Sequence, residues 1–299
     1  MQSTTALDSR PDLAIAEERR GHALMVCGGL ILGTLGIFLE EAGQGAPMAV
    51  WFRCAFGALA LLSYGAATGR LAELRLTGRA WLPALAGGIL MVLNWGLFFA
   101  AIERTSIGVA TVVFHIQPLL VIAFAAWWWR ERVSRAQVGA AAIALAGLAL
   151  ASGLAGHDLA LDPSHALGIA MCLGGSVSYA AVTLIAKAAR GVTSYALAFW
   201  QCAVGALCLA WLPAVQGWPG TGAAWAWLVG LGIVHTGFAY VVLYAGMALL
   251  PAGRIAVLQF VYPVAAICID ALVYGRLLGT VQLGGVALMG AALLALRRR

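Results

Sequence analysis

Charge is what this chain has least of. Asp, Glu, Lys and Arg together make up 10% of its residues, against roughly 25% in soluble domains, while hydrophobic residues take 63%. A water-soluble globule of that composition lacks the polar surface to cover its own core, so the bilayer is the natural solvent. The patterns of catalysis are missing as well. There is no HExxH, no GxSxG and no pair of aspartates inside an apolar stretch, which leaves an intramembrane enzyme without visible machinery. The six cysteines, Cys27, Cys54, Cys172, Cys202, Cys208 and Cys268, show neither CxxC nor zinc-type spacing. They read as free thiols, with no metal and no cofactor expected. Residues 1–20 are polar and mixed in charge, unlike a secretory signal, whose basic region leads straight into an apolar core.

What the chain has in abundance is apolar length and glycine. A helix needs about 20 apolar residues to cross the hydrocarbon core, and ten stretches qualify: 22–39, 47–68, 81–101, 107–129, 136–154, 166–186, 194–213, 224–248, 255–274 and 281–296. The 37 glycines suit close helix approach in a membrane. The fold class expected is therefore an all-α integral membrane protein of ten transmembrane helices. A net charge of +6 does not point to nucleic acid, because the basic residues sit in short loops between apolar stretches. With the N-terminus inside, every Lys and Arg except Arg53, Arg104 and Arg276 falls on one side, and by the positive-inside rule that side is the cytoplasm. Both termini are then cytoplasmic.

The sequence also repeats itself. Phe98–Pro118, FFAAIERTSIGVATVVFHIQP, returns as Leu243–Pro263, LYAGMALLPAGRIAVLQFVYP, at one constant offset. That offset sets Ala100 on Ala245, Gly108 on Gly253 and Pro118 on Pro263, and it carries on through Gln137 on Gln282 and Gly139 on Gly284. At a slightly larger offset FRCAFGAL (Phe52–Leu59) faces WQCAVGAL (Trp200–Leu207). The expected units are a tail at 1–20, a first five-helix repeat at 21–155 and a second at 166–299. Five spans per unit is odd, so the second enters the membrane upside down: an inverted repeat of the kind found in secondary transporters.

Polar and aromatic side chains inside spans mark candidate contacts with a substrate. The third stretch offers Asn94, Trp95 and Phe98; the fourth, Phe114, His115 and Gln117; the sixth, Tyr179. The eighth offers His235, Tyr240 and Tyr244, and the ninth Gln259 and Tyr262. Pro118 and Pro263 are expected to kink their helices and to strip the carbonyls near residues 114 and 259 of a partner, which suits an ammonium group. Asn94 is expected to donate to a carboxylate, and Trp95, Phe98, Tyr240 and Tyr244 to hold an apolar side chain. Arg53 reads as snorkelling from near the start of its span. No carboxylate falls at mid-depth, so transport down the substrate's own gradient is expected, with His115 and His235 as the remaining proton carriers.

Ten spans in two halves, with Gly and Pro in matching register in the fourth and ninth (Gly108 and Pro118, Gly253 and Pro263), resemble the drug/metabolite transporter superfamily in its EamA-type branch, most closely the YddG-type aromatic amino-acid exporters. The resemblance covers nearly the whole chain after residue 20. It implies a multi-pass protein of the bacterial inner membrane that exports small metabolites, neutral and aromatic amino acids foremost, through a central cavity. Its partners would be a small-molecule substrate and membrane lipid, with no nucleic acid. The alternatives are a broader drug or nucleotide-sugar carrier, or a membrane protein that transports nothing. One departure is visible. The family often ends its fourth and ninth helices with an acid, which Glu131 supplies in the first half, whereas Arg276 stands at the matching place.

Overall fold

The computed structural model describes residues 9–152, 163–275 and 278–297, and among these every regular element is helical. The first half comprises α1 (Ser9–Gly33), α2 (Leu35–Ala42), α3 (Ala46–Thr68), α4 (Trp81–Ile102), α5 (Ile107–Phe114), α6 (Gln117–Trp128) and α7 (Arg135–Ala151). The second comprises α8 (Pro163–Ala188), α9 (Ser194–Cys208), the short α10 (Leu212–Gln216), α11 (Ala224–Gly230), α12 (Ala239–Leu249), α13 (Ala252–Leu258), α14 (Val261–Tyr274) and α15 (Thr280–Arg297). A π-helical segment, Leu231–Phe238, joins α11 to α12.

All ten apolar stretches are helical where described. Seven helical runs are long and apolar enough to cross a membrane, and α7, α9 and α15 are shorter apolar helices. Exposed apolar side chains cover their outward faces, and Trp127 and Trp128 stand 70% and 72% exposed at the end of α6, as befits an aromatic belt at the lipid–water boundary. The first helix begins earlier than its apolar core suggests. Part of the polar segment 1–20 continues α1, where Glu18 pairs with Arg254 of α13 at 2.7 Å.

Helix boundaries follow local chemistry. Ser106 accepts from the Val109 amide to start α5, Thr193 from the Ala196 amide to start α9, and Ser134 with Gln137 forms a capping box on α7. Gly43 and Gly69 end α2 and α3 with φ of 59° and 70°, a conformation that costs any other residue a Cβ clash.

The packing between halves has a pattern. Helix α4 lies on α8, and α12 on α1; α3 lies on the π segment, and α4 on α9; α1 lies on α14, and α8 on α6. Two further contacts, α3 with α9 and α7 with α15, each join an element to its counterpart. Exchanging the two halves turns this set into itself. Some contacts break the rule: α8 touches α12, whereas α1 and α4 have no comparable contact, and α13 touches α6 and α7, whereas α5 has no comparable contact with α14 or α15.

Candidate functional site

The space between α1 and α4 is a cavity of about 150 Å³. Of the twelve residues expected at a substrate site, ten line it: Asn94, Trp95, Phe98, Phe114, His115, Gln117, Tyr179, Tyr240, Gln259 and Tyr262. They come from α4, the two broken helices, α8 and α12, so both halves contribute. None of the lining residues is Asp or Glu.

Two expected residues lie elsewhere. Tyr244 is buried behind Tyr240, with ring centroids 5.6 Å apart, and donates its hydroxyl to Gln201 Oε1. His235 is fully buried, with Nε2 2.7 Å from Thr34 Oγ1 and its ring 4.4 Å from that of Phe38. The cause is the π segment. Its wider turn shifts the residues after Gly230 relative to an α-helix and turns His235 toward α2 instead of the cavity.

The two proline joints are built differently. The first break falls at 115–116, between α5 and α6. Pro118 cannot donate back one turn, yet the carbonyls of Val113 and Phe114 are not left open. The Ser176 hydroxyl on α8 contacts both, at 3.2 and 2.9 Å, as well as the Cys172 carbonyl at 2.9 Å. The expectation of a free carbonyl near residue 114 is thus corrected. The second break falls at 259–260. There the Gln259 carbonyl opposite Pro263 receives no hydrogen bond among those of the described residues. The joint is packed instead of bonded, since Gly29 of α1 lies so close that a Cβ there would sit 2.8 Å from Val261 Cγ1 and 3.3 Å from the Tyr262 amide nitrogen.

A side-chain network ties the joints together. Gln117 Nε2 donates to Gln259 Oε1 at 3.0 Å and to Thr183 Oγ1 at 3.2 Å, and Gln259 Nε2 reaches the same hydroxyl at 3.1 Å. The His115 Nδ1–H donates to the Thr111 carbonyl at 2.7 Å, which in a neutral ring leaves Nε2 as an acceptor. Phe98, Phe114 and Tyr179 follow one another at 5.0 and 5.8 Å, and His115 stacks on Tyr262 at 6.2 Å. Asn94 uses its amide differently from expectation, donating to the Gly175 carbonyl at 3.0 Å.

The residue sequence reasoning placed wrongly is Arg53. It does not snorkel: it is 5% exposed, lines the cavity, donates from Nε to Thr236 Oγ1 at 2.8 Å and lies over the Trp95 ring at 4.8 Å. Nothing local announces this, because its partners stand on α4 and on the π segment. Ser176 and Thr183, which serve the two breaks, were equally hidden among small residues of α8.

At one end of the bundle the halves are tied by charge. Glu131 accepts from the Ala252 amide at the start of α13 at 2.6 Å and pairs with Lys187 of α8 at 3.2 Å. The Lys187 ammonium also stands 5.4 Å from the centre of the Trp129 ring. Arg276, which the repeat sets opposite Glu131, lies outside the described residues.

Comparison with known proteins agrees with this architecture. The sequence matches the EamA-like transporter family over residues 19–153 and again over 166–298. It is 28% identical to the uncharacterized transporter YxxF of Bacillus subtilis, covering 96% of this chain and 94% of that one. It is also 28% identical to an uncharacterized transporter of Archaeoglobus fulgidus, covering 93% and 97%. A crystal structure 20% identical in sequence superposes with a TM-score of 0.83 over 93% of this chain and 98% of its own, a likeness of fold alone.

Proposed function

Because the chain belongs to the EamA-like transporter family, we propose that it is a secondary transporter exporting small amphipathic metabolites, neutral and aromatic amino acids foremost, by alternating access. In this reading ten spans form an inverted repeat in a bacterial inner membrane, with both termini in the cytoplasm. The carrying observation is a broken symmetry of the packing around the cavity. The cavity lies between α1 and α4, which stand apart, while their counterparts α8 and α12 are in contact. Trading those two arrangements closes the cavity on one side and opens its mirror on the other, with the broken helices in between.

The cavity suits a small guest. Sites for drug-sized molecules measure about 300–1,000 Å³, so 150 Å³ favours a metabolite over a drug or a nucleotide sugar. Aromatic walls offer a surface to an apolar side chain. The open Gln259 carbonyl and His115 Nε2 are acceptors for an ammonium group. With no carboxylate in the lining, the substrate's own gradient is the driving force.

Purified protein in liposomes tests this. Labelled phenylalanine, tryptophan or leucine should show saturable counterflow, and downhill flux should be unchanged when an imposed pH gradient is collapsed. Absence of counterflow for every amino acid in the panel overturns the substrate class. Flux that stops with the gradient overturns the driving force and makes His115 the first residue to replace.

A further inference from the structure

The geometry points to Arg53 as the anchor for a carboxylate on the transported molecule, with Thr236 and Trp95 holding the guanidinium in place for it. The inference deepens the transporter reading and rests on it. Three observations carry it.

Arg53 is a charge buried without its opposite. Among the described residues the ion pairs are Arg70 with Glu73, Lys187 with Glu131 and Arg254 with Glu18, and no carboxylate lies within pairing distance of Arg53. A cation held inside the apolar part of a membrane protein pairs with an anion or faces a cavity. Arg53 faces the cavity, which it lines. A bound anion supplies the missing partner.

The guanidinium is also built to point. Its Nε is spent on Thr236 Oγ1, and that hydroxyl is itself fixed by donating to the Leu231 carbonyl at 2.9 Å across the π segment. Its flat face rests on Trp95, a stacking and cation–π contact that guanidinium makes well. With Nε and one face occupied, the two terminal amino groups remain. The hydrogen bond of this side chain among the described residues is the one from Nε, and Arg53 lines the cavity. Two parallel N–H bonds from such a fork match the two oxygens of a carboxylate.

The backbone is arranged to allow it. Gly57, one turn after Arg53 on α3, packs against the π segment so closely that a Cβ would lie 3.2 Å from the Gly232 carbonyl oxygen and 3.4 Å from Thr236 Cβ. That contact brings Thr236 within reach of Arg53. The π turn thus exchanges one residue for another: it takes His235 out of the cavity and puts a hydroxyl under the guanidinium.

The substrate class follows. It is a small organic acid or zwitterion with one carboxylate and an apolar, preferably flat, body. Molecules that lack the carboxylate are excluded from tight binding whatever their amine.

Equilibrium dialysis of the purified full chain in detergent tests this with three tritiated probes: L-phenylalanine, 3-phenylpropionate, which lacks the ammonium, and L-phenylalaninamide, which lacks the carboxylate. The wild type should bind the two acids at least tenfold more tightly than the amide. Arg53→Gln should weaken both acids by about tenfold to a hundredfold and leave the amide unchanged, and Arg53→Lys, which keeps the charge and loses the fork, should fall between. Thr236→Val, which frees Nε, should weaken the acids alone. Gel filtration of each variant reports folding, and Arg53→Lys carries the comparison where Arg53→Gln does not fold. A preference for acids that survives in both Arg53 variants, or a wild type that binds the amide as well as the acids, overturns the anchor. Counterflow in liposomes separates the two readings: amino-acid flux with an Arg53-independent preference sinks the anchor and leaves the transporter standing. An Arg53-dependent preference without any flux does the reverse.

Discussion

The two broken helices carry the same proline in the same register, yet they solve the same problem in opposite ways. At Pro118 the carbonyls set free are taken up by the Ser176 hydroxyl of α8. At Pro263 the matching carbonyl is left open, and the glycines of α1 bring that helix against the joint without a hydrogen bond: Gly29 lies on Val261 and Gly33 on Ala265. A hydrogen bond fixes distance and direction, whereas a smooth backbone contact fixes distance alone. The backbone of the first joint is therefore pinned to α8, while that of the second is held against α1 by packing. Duplicated sequence does not mean duplicated packing: one joint is hydrogen-bonded through its backbone and the other is packed.

The largest effect should come from cutting the second joint loose. Gln259→Ala removes its bonds to Gln117 and Thr183, and Tyr240→Ala removes a wall of the cavity. Each should lower substrate affinity by roughly tenfold or more, about 1.4 kcal/mol, the first by loosening the joint that carries the Gln259 carbonyl and the second by removing apolar contact, while the protein still reaches the membrane folded. Transport at wild-type rate and affinity in both would put the site elsewhere.

Ser176→Ala should act on the first joint in a different currency. It strands the Phe114 carbonyl, since that of Val113 still accepts from the Ile116 amide, at about 1–3 kcal/mol of stability, visible as a lower midpoint of thermal unfolding in detergent. Substrate affinity of the folded fraction should be retained. A loss of affinity with unchanged stability would mean that Ser176 touches substrate and that the first joint is no mere fixture.

A smaller contrast separates the glycines. A Cβ at Gly175 of α8 would meet nothing nearer than 3.5 Å, so Gly175→Ala should be neutral or stabilising by up to about 1 kcal/mol from helix propensity. At Gly29 it would meet Val261 at 2.8 Å, and Gly29→Ala should cost about 1 kcal/mol or more through overpacking and slow transport. Equal outcomes for the pair would show that the contact of Gly29 with Val261 is no tighter than that of Gly175 with Asn94 and Leu97 on α4.

Much of this was legible from the sequence, and the reason is the solvent. A bilayer demands long apolar runs, so all ten stretches stand out, and a proline inside such a run announces its break. The ten lining residues were found because polar and aromatic side chains within spans are few. What stayed hidden was whatever depends on partners far along the chain. Arg53 reads as an exposed cation until Trp95 and Thr236 close around it. Ser176 reads as one more small residue on a helix face. The π segment Leu231–Phe238 has no signature in its composition, and it alone decides that His235 leaves the cavity while Thr236 meets Arg53. The polar start of α1 was read as tail because hydropathy registers membrane and not helix.

Glu131 has a consequence for leakage. Its two oxygens hold two different elements at once, the Ala252 amide with one and the Lys187 ammonium with the other. Either element moving away leaves the carboxylate half-satisfied, so neither gains by moving first. This end of the bundle then parts in one step, with no half-open stage in which ions could trickle through an idle protein.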